Sequence, residues 1–144
     1  MRNKKLGASA IILNATGQVL LVKHTYGRLN WELPGGNAEP NESITATVLR
    51  EVWEETHLQV QVLHMTGLYY EADDDIHQFV FLCQPDDPHA MAHPDGNEIS
   101  EVAFWPSTTL PRPISDFTIR RIHDAASGVQ LPLPCNLAPR QWFT

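Results

Sequence analysis

The stretch that decides the fold reads GNAEPNESITATVLREVWEETHL and spans residues 36–58. A polar loop after the opening glycine leads into a segment in which the apolar residues Ile44, Val48 and Val52 recur every four positions. Because an α-helix turns once in about 3.6 residues, this spacing predicts an amphipathic helix over residues 41–56. Such a helix buries its apolar stripe against a neighbouring layer.

Both ends of this helix carry recognisable signals. Asn41 is a suitable N-cap, and Glu42 would then lie in the first turn, where the helix dipole favours an acidic side chain. His57 follows the last helical residue, at the position where the backbone often turns left-handed to end a helix. Histidine is among the side chains enriched in that conformation, so we expect it to be accommodated at a cost of about 1 kcal/mol.

Three carboxylates crowd one face of the helix. Glu51, Glu54 and Glu55 are three and four positions apart, so they fall within an arc of roughly 100° at the margin of the apolar stripe. Each like-charged pair at this spacing costs about 0.2–0.5 kcal/mol, which suggests a compensating cation. Carboxylate oxygens suit a hard divalent ion such as Mg²⁺ or Mn²⁺. A solvated acidic face, with Arg50 paired to Glu54, is the alternative.

The residues around these glutamates carry a longer pattern. Gly36 is followed after five residues by Glu42, and after seven more by the run REVWEETHL over residues 50–58. This frame, with WELPGG over residues 31–36 before it, resembles the Nudix box; His57 replaces the final glycine of that box. The resemblance implies an α/β/α sandwich around a mixed β-sheet. It also implies a metal-dependent enzyme that hydrolyses a nucleoside diphosphate linked to another moiety.

The resemblance further implies roles for individual residues. Ligands of Mg²⁺ or Mn²⁺ would be the three box glutamates and a backbone carbonyl, namely Glu51, Glu54, Glu55 and Gly36. Arg50 and Glu42 would orient the helix and its loop. The general base varies in the family between a box glutamate and an acid on a downstream loop; Glu98 is our preferred extra carboxylate and Glu101 the second choice, with a solvated loop acid as the alternative for each.

Several residues outside the helix are candidates for binding the nucleotide. Tyr26 and Trp31 lie on strands that the family places near the nucleotide, although either could simply pack the core. Gly35, with its neighbour Gly36, would let the backbone approach ions and phosphates. Ser115 or Asp116, at the start of the last helix, could contact the base, and the alternative is that they cap this helix.

Composition excludes several classes of partner. A formal charge of −7 and a pI near 5.4 argue against a general nucleic-acid or membrane binder, because those surfaces need excess lysine and arginine. Cys83 and Cys135 match no metal spacing, and Cys83 lies in an apolar run as a buried thiol would. His89 and His93 lie in a proline-rich loop, where exposure is a better interpretation than a metal pair. We therefore expect a soluble cytoplasmic protein with a small-molecule partner. A homodimer is also compatible with the sequence.

The rest of the chain predicts strands, turns and one more helix. Apolar and β-branched patterns predict six strands, over residues 8–13, 18–24, 28–33, 58–71, 76–84 and 99–105. The first two should form a hairpin through Asn14-Ala15-Thr16-Gly17. The fourth and fifth should form another hairpin, with Gly67 as a bulge. Pro34, Gly35 and Gly36 should stop regular structure after the third strand.

A long loop and a second helix complete the predicted domain. Residues 85–97 are rich in proline and aspartate and predict the loop. A helix should begin after Ser115 or Asp116, run to about Ala126 and end at Gly128. We expect one domain over residues 1–144, whose last part, from about residue 129, is a proline-punctuated extension draped over the body.

Motifs of several Nudix subfamilies are absent from the sequence. Neither the SQPWPFP run of NADH pyrophosphatases nor a coenzyme A pyrophosphatase motif is found. We therefore expect a (d)NTP or a nucleotide sugar as substrate, with ADP-ribose or a dinucleoside polyphosphate as alternatives. A catalytically silent sensor that binds a nucleotide or sugar is a second class, disfavoured because all three box glutamates are present. An isomerase or RNA-decapping member is a third, and decapping is disfavoured by the acidic charge.

Overall fold

A computed structural model describes residues 3–128 and 135–144 of the chain. Within these ranges the chain forms ten strands and two helices. The strands are β1 (Lys5–Ile12), β2 (Val19–His24), β3 (Trp31–Glu32), β4 (Gly35–Asn37), β5 (Val60–Glu71), β6 (Ile76–Pro85), β7 (Ile99–Trp105), β8 (Ile114–Ser115), β9 (Cys135–Leu137) and β10 (Trp142–Phe143). The helices are α1 (Ile44–Thr56) and α2 (Asp116–Ser127).

The strands form two five-stranded sheets. The first has the order β4-β1-β6-β5-β9, and the second has the order β10-β8-β3-β2-β7. In the first sheet β1 pairs in parallel with β6 and antiparallel with β4, so the sheet is mixed. This agrees with the mixed α/β architecture that the resemblance implies.

Side-chain alternation along β1 shows that the helices lie on opposite faces of the first sheet. Ala8, Ala10 and Ile12 belong to one buried apolar cluster, together with Val48 and Val52 of α1. The intervening residues face the other way. Ile11 belongs to a second cluster with Ile122 of α2. Because successive strand residues point to opposite faces, α1 covers one side of the sheet and α2 the other, which confirms the α/β/α sandwich.

The predicted first hairpin is wrong for most of its length. The turn itself forms, since the Gly17 N–H donates to the Asn14 carbonyl at 3.0 Å and Gly17 has φ 80°. However, the strands beside it meet only at the bridge between Leu13 and Val19 and then enter different sheets. The reason is that β1 is buried on both faces and pairs along its length with β6 instead.

The predicted stop at the glycine pair is also wrong. Gly35 and Gly36 lie in β4 and pair with Ser9 and Ala8 of β1. A Cβ at Gly35 would lie 2.3 Å from the Ala8 carbonyl oxygen and 2.7 Å from the Ser9 Cα. Glycine is therefore required here because the two backbones approach closely, and it extends regular structure where it was expected to end it. The third strand is shorter than predicted and covers only Trp31–Glu32.

Helix α1 begins later than expected and ends as expected. Its N-cap is Ser43, whose Oγ accepts from the Ala46 N–H at 3.1 Å, and Asn41 instead has a left-handed backbone with φ 64°. Glu42 consequently lies before the helix. His57 ends it with φ 61° and ψ 22°, and its N–H donates to the Trp53 carbonyl at 2.9 Å. The prediction of a left-handed histidine is confirmed.

The other predicted elements are close to the observed ones. Strands β5 and β6 form the second hairpin, with a register shift next to Gly67. Helix α2 is capped by the Ser115 side chain and ends at Gly128, which has φ 67°. Of the extension, residues 129–134 lie outside the described residues, and residues 135–144 pair through β9 with β5 and through β10 with β8.

Two further sequence predictions concern the membrane and the thiols. In the described part of the chain, neither helix has the length and apolar character needed to cross a membrane. Cys83 is buried and Cys135 is half-buried, and both are free thiols. Burial raises the pKa of the Cys83 thiol to about 12, as expected for an inert core cysteine.

Candidate active site

Glu55 is a carboxylate in the protein interior. It is 5% exposed, and its Oε1 accepts from the Gly35 N–H at 2.7 Å. Burial raises the pKa of Glu55 to about 9 despite this hydrogen bond, and the nearby carboxylates Glu51, Glu32 and Glu98 raise it further. Without a cation, Glu55 therefore holds a proton at neutral pH.

Glu51 lies against the other glycine of the pair. A Cβ at Gly36 would lie 2.6 Å from the Glu51 carboxyl carbon, so a larger residue here would displace the Glu51 carboxylate from its present position. Burial raises the pKa of Glu51, while hydrogen bonding to Arg50 lowers it. The arrangement places a carboxylate and the Gly36 backbone side by side, as the resemblance implies for a metal site.

Arg50 serves as the counter-cation of the glutamates. Its Nη1 donates to Glu51 Oε1 at 2.9 Å and to Glu54 Oε2 at 3.2 Å. Its Nε and Nη2 bind both oxygens of Glu42 at 2.7 and 3.0 Å, and Nη2 also donates to the Asn37 carbonyl at 3.1 Å. The Arg50 guanidinium, with help from the Thr47 hydroxyl, lowers the pKa of Glu42 to about 2. Arg50 and Glu42 thus tie helix α1 to the loop before it and to β4.

The carboxylates fit a divalent ion in their chemistry but are not gathered around one. Among residues 3–128 and 135–144, no group of three or more His, Cys, Asp or Glu side chains converges at metal-binding distance. The reason is that Arg50 holds Glu51 and Glu54, while Gly35 holds Glu55. Rotation of these side chains away from their present partners would release oxygen donors suited to a hard cation.

Glu98 lies on the same side of the molecule as the glutamates of α1. Its negative charge contributes to raising the pKa of both Glu51 and Glu55. The Thr25 N–H donates to the Glu98 carbonyl at 2.9 Å, which fixes this part of the loop beside the end of β2. Glu101, the second choice, instead forms an exposed ion pair with Lys23 at 3.6 Å.

The other predicted nucleotide contacts divide into exposed and buried residues. Tyr26 is 53% exposed and stacks on His24, with ring centroids 4.6 Å apart and an interplanar angle of 12°. Trp31 is buried in the second apolar cluster, edge-on to Trp105. The Ser115 side chain is buried and caps α2. This agrees with the alternative interpretation of Ser115, in which it caps the helix instead of contacting the base.

Asp116 and the two loop histidines make contacts that stabilise local structure. Asp116 Oδ1 accepts from the Gln141 N–H at 2.9 Å. His89 and His93 are exposed, and the His93 backbone anchors the long loop through a 2.8 Å hydrogen bond to the Thr56 carbonyl. The two histidines do not form a metal pair with a third ligand in the described residues.

A cavity of about 320 Å³ borders the glycine pair, and among the described residues its lining includes none from α1. Its lining includes Gly35 and Gly36, the stacked His24 and Tyr26, and four charged residues: Glu32, Glu71, Arg121 and Arg140. Sequence reasoning missed these charged residues. The only available signal was a charged residue within an apolar helical pattern, as at Arg121, and this signal is weak.

Comparison with known proteins identifies the family. The model of the NUDIX domain matches residues 3–124. The chain belongs to the Nudix hydrolase family. Nudix hydrolases generally need divalent cations and act on small nucleotide substrates.

Two relatives of this Nudix protein have similar sequences. A Bacillus subtilis (strain 168) protein named "Putative 8-oxo-dGTP diphosphatase" is 33% identical over 124 residues, which cover 86% of this chain and 81% of that protein. A Mus musculus protein named 8-oxo-dGDP phosphatase is 31% identical over 125 residues, which cover 85% of this chain but only 36% of the mouse protein.

Solved structures share the fold at lower identity. A Nitrosomonas europaea NUDIX hydrolase superposes with a TM-score of 0.77 at 21% identity, covering 95% of this chain and 80% of that one. An ADP-ribose pyrophosphatase from Streptococcus suis superposes with a TM-score of 0.69, also at 21% identity, covering 93% of this chain and 99% of that one. These similarities support the fold.

Proposed function

We propose that this Nudix protein is a pyrophosphohydrolase, dependent on Mg²⁺ or Mn²⁺, that cleaves a nucleoside triphosphate. The observation that carries the proposal is the position of Glu51 and Glu55. Both are desolvated carboxylates against the Gly35-Gly36 backbone, and the cavity of about 320 Å³ opens at the same glycines. A diphosphate at the glycines would therefore place the rest of the nucleotide in the cavity.

The names of the relatives favour a purine nucleoside di- or triphosphate over a nucleotide sugar. Both the Bacillus subtilis and the mouse proteins are named for 8-oxo-guanine deoxynucleotides. A purine (d)NTP is thus our first choice for this chain. ADP-ribose, a nucleotide sugar and a dinucleoside polyphosphate remain the alternatives, and a silent sensor is disfavoured because Glu51, Glu54 and Glu55 are all retained.

Each residue of the proposed site has a role. Glu51, Glu54, Glu55 and the Gly36 carbonyl would hold the cation. When bound, the cation would offset the negative charge of the diphosphate and make a water more acidic. Glu98 would accept the water proton, because it is an exposed carboxylate close enough to influence Glu55. Arg50 and Glu42 would keep α1 in place against β4.

A substrate panel tests the proposal. Purified protein is incubated with nucleoside triphosphates, 8-oxo-dGTP, ADP-ribose, a nucleotide sugar, a dinucleoside polyphosphate and coenzyme A, with and without Mg²⁺ or Mn²⁺. We expect cation-dependent release of pyrophosphate or phosphate from a triphosphate, and the released product identifies the bond cleaved. Absence of turnover on every compound would reject the enzymatic proposal in favour of a sensor.

A further inference from the structure

The cavity lining includes a carboxylate shared by two guanidinium groups. Glu71, which is 3% exposed, accepts from Arg121 Nη2 through Oε1 and from Arg140 Nη2 through Oε2, the latter at 3.1 Å. Both Glu71 oxygens are therefore occupied by arginines. Glu32 Oε1 is similarly engaged by the Leu33 N–H and the Thr118 hydroxyl. The two guanidinium groups thus supply donors to the cavity lining, whereas both oxygens of Glu71 are already used.

Two buried polar atoms that border the cavity lack partners. Arg121 Nε and Ser9 Oγ form no hydrogen bond with any residue that the structure describes. Arg121 is 3% exposed and Ser9 is 5% exposed, and both line the cavity. Ser9 Oγ and Arg121 Nε are therefore polar atoms of the cavity-lining residues whose hydrogen-bonding capacity is not used by the described residues.

Arg140 comes from a segment that lies beyond the residues matched by the family model. That match ends at residue 124, whereas residues 135–144 return to the body through β9 and β10. Reciprocal backbone and side-chain hydrogen bonds between Asp116 and Gln141, at 3.0 and 2.9 Å, hold the segment next to Arg140. The guanidinium also stacks on Phe117, 4.6 Å from its ring centroid. Arg140 is thus held in position before any ligand binds.

Two stacked rings in the cavity lining provide a flat aromatic surface. His24 and Tyr26 stack in nearly parallel planes and line the same cavity. A planar heterocycle can lie against such a surface while its edge reaches the arginines. Guanidinium groups pair well with a carbonyl oxygen next to a ring nitrogen, the arrangement found at O6 and N7 of a 6-oxopurine. A 6-aminopurine keeps the N7 acceptor but presents an amino donor at position 6, so it offers the guanidinium one acceptor instead of two.

Building on the proposed function, we propose that Arg140 is a specificity-determining residue. It donates to the acceptor edge of the substrate base and selects 6-oxopurine nucleotides over 6-aminopurine nucleotides. Arg121 helps to hold Arg140 in place, because both guanidinium groups bind the Glu71 carboxylate. The C-terminal segment therefore forms part of the substrate site of this Nudix protein.

The test compares inosine and adenosine nucleotides, whose bases differ at position 6 and in the protonation of the adjacent ring nitrogen. We expect wild-type protein with Mg²⁺ to show higher kcat/KM for ITP and GTP than for ATP. Arg140→Ala should lower the ITP-to-ATP ratio of kcat/KM by roughly tenfold or more, since the guanidinium would no longer pair with the acceptor edge of the base. Arg140→Gln keeps an amide donor near Glu71 and should also lower the ITP-to-ATP ratio. This variant replaces Arg140→Ala in the test if the alanine variant folds poorly.

Arg28→Ala is the matched control. Arg28 stacks on Trp142 of the same segment at 4.8 Å and is not among the residues that line the cavity. The Arg28→Ala substitution should leave the ITP-to-ATP ratio unchanged. If it lowered this ratio as much as Arg140→Ala does, the cause would be loosening of the C-terminal segment, and the inference would be overturned. An unchanged ratio in Arg140→Ala, or a wild-type preference for ATP, would also overturn it.

Product binding separates this inference from the proposed function. Calorimetric titration with IMP and AMP needs no turnover, and we expect wild-type protein to bind IMP more tightly and Arg140→Ala to lose that preference. Preferential IMP binding without hydrolysis of any nucleotide would reject the enzymatic proposal while supporting the role of Arg140. Hydrolysis together with equal binding of IMP and AMP would reject the role of Arg140 alone.

Discussion

Replacing Glu55 by glutamine should lower the rate of nucleotide hydrolysis by at least about 100-fold, because even residues one step removed from a bound metal commonly change activity by about 10–100-fold. The amide keeps an oxygen that can accept from the Gly35 N–H, so the fold should persist. It also removes a carboxylate that is costly to ionise in the interior, since burial raises the pKa of Glu55 to about 9. We therefore expect the thermal midpoint of the metal-free variant at neutral pH to equal or exceed that of wild type.

Glu39→Gln provides the matched control for this experiment. Glu39 also faces Arg50, at 3.7 Å, but its side chain is 64% exposed and lies in the loop before α1. The hydrolysis rate of the Glu39→Gln variant should stay within about twofold of the wild-type rate, because exposed ion pairs contribute little. Glu54→Gln should lose activity as Glu55→Gln does. Unchanged hydrolysis in both the Glu54 and the Glu55 variants would remove these residues from the active site.

Replacing Glu71 by alanine should destabilise the protein by about 3–5 kcal/mol, because it leaves a buried guanidinium without its counter-charge. The Arg121 side chain is 4% exposed, and its nearest other carboxylate oxygen, Glu32 Oε1, is 3.8 Å away. Arg140 would lose the same partner. Chemical denaturation should show the loss as a lower midpoint with an unchanged slope.

The control for Glu71 is an ion pair on the surface. Glu101→Ala removes the exposed pair with Lys23, whose atoms are 3.6 Å apart, and should change stability by less than about 1 kcal/mol. If Glu71→Ala lowered the free energy of unfolding by no more than Glu101→Ala does, the Arg121 charge would be solvated or otherwise compensated.

The parts of the fold that the sequence predicts well are those governed by local rules. The four-residue spacing of Ile44, Val48 and Val52 predicts α1. The left-handed preference predicts the conformation of His57, and it is observed with φ 61°. The carboxylates of the box are likewise predicted together, because residues three and four apart on one helix must face the same way.

The parts that the sequence does not predict depend on pairing between distant segments. A turn at Gly17 does not reveal that β1 prefers β6, more than 60 residues later, to its neighbour β2. Nor does a glycine pair reveal whether it ends a strand or lets one backbone approach another, as Gly35 does beside Ser9. Ser43 is preferred over Asn41 as the N-cap because Asn41 adopts a left-handed turn that the local pattern does not specify.

The candidate site shows the same division. The glutamates that we propose as metal ligands come from one continuous stretch, and their position on one helix can be predicted from the sequence. The cavity instead joins Ser9 of β1, Glu71 of β5, Arg121 of α2 and Arg140 of the C-terminal segment. These residues are as much as 131 positions apart, counted from 9 to 140. Only the folded structure brings them to one cavity.

Calorimetric titration of the protein with Mg²⁺ and Mn²⁺ over a range of pH tests the central claim most directly. A cation must displace the proton that Glu55 holds below its pKa of about 9. Affinity should therefore rise as pH increases from 6 to 8, by at most about tenfold per pH unit, with protons released on binding. Glu55→Gln should bind more weakly and lose most of this pH dependence. Absence of cation uptake at every pH, even with a nucleoside triphosphate present, would contradict the claim that these glutamates form a metal site.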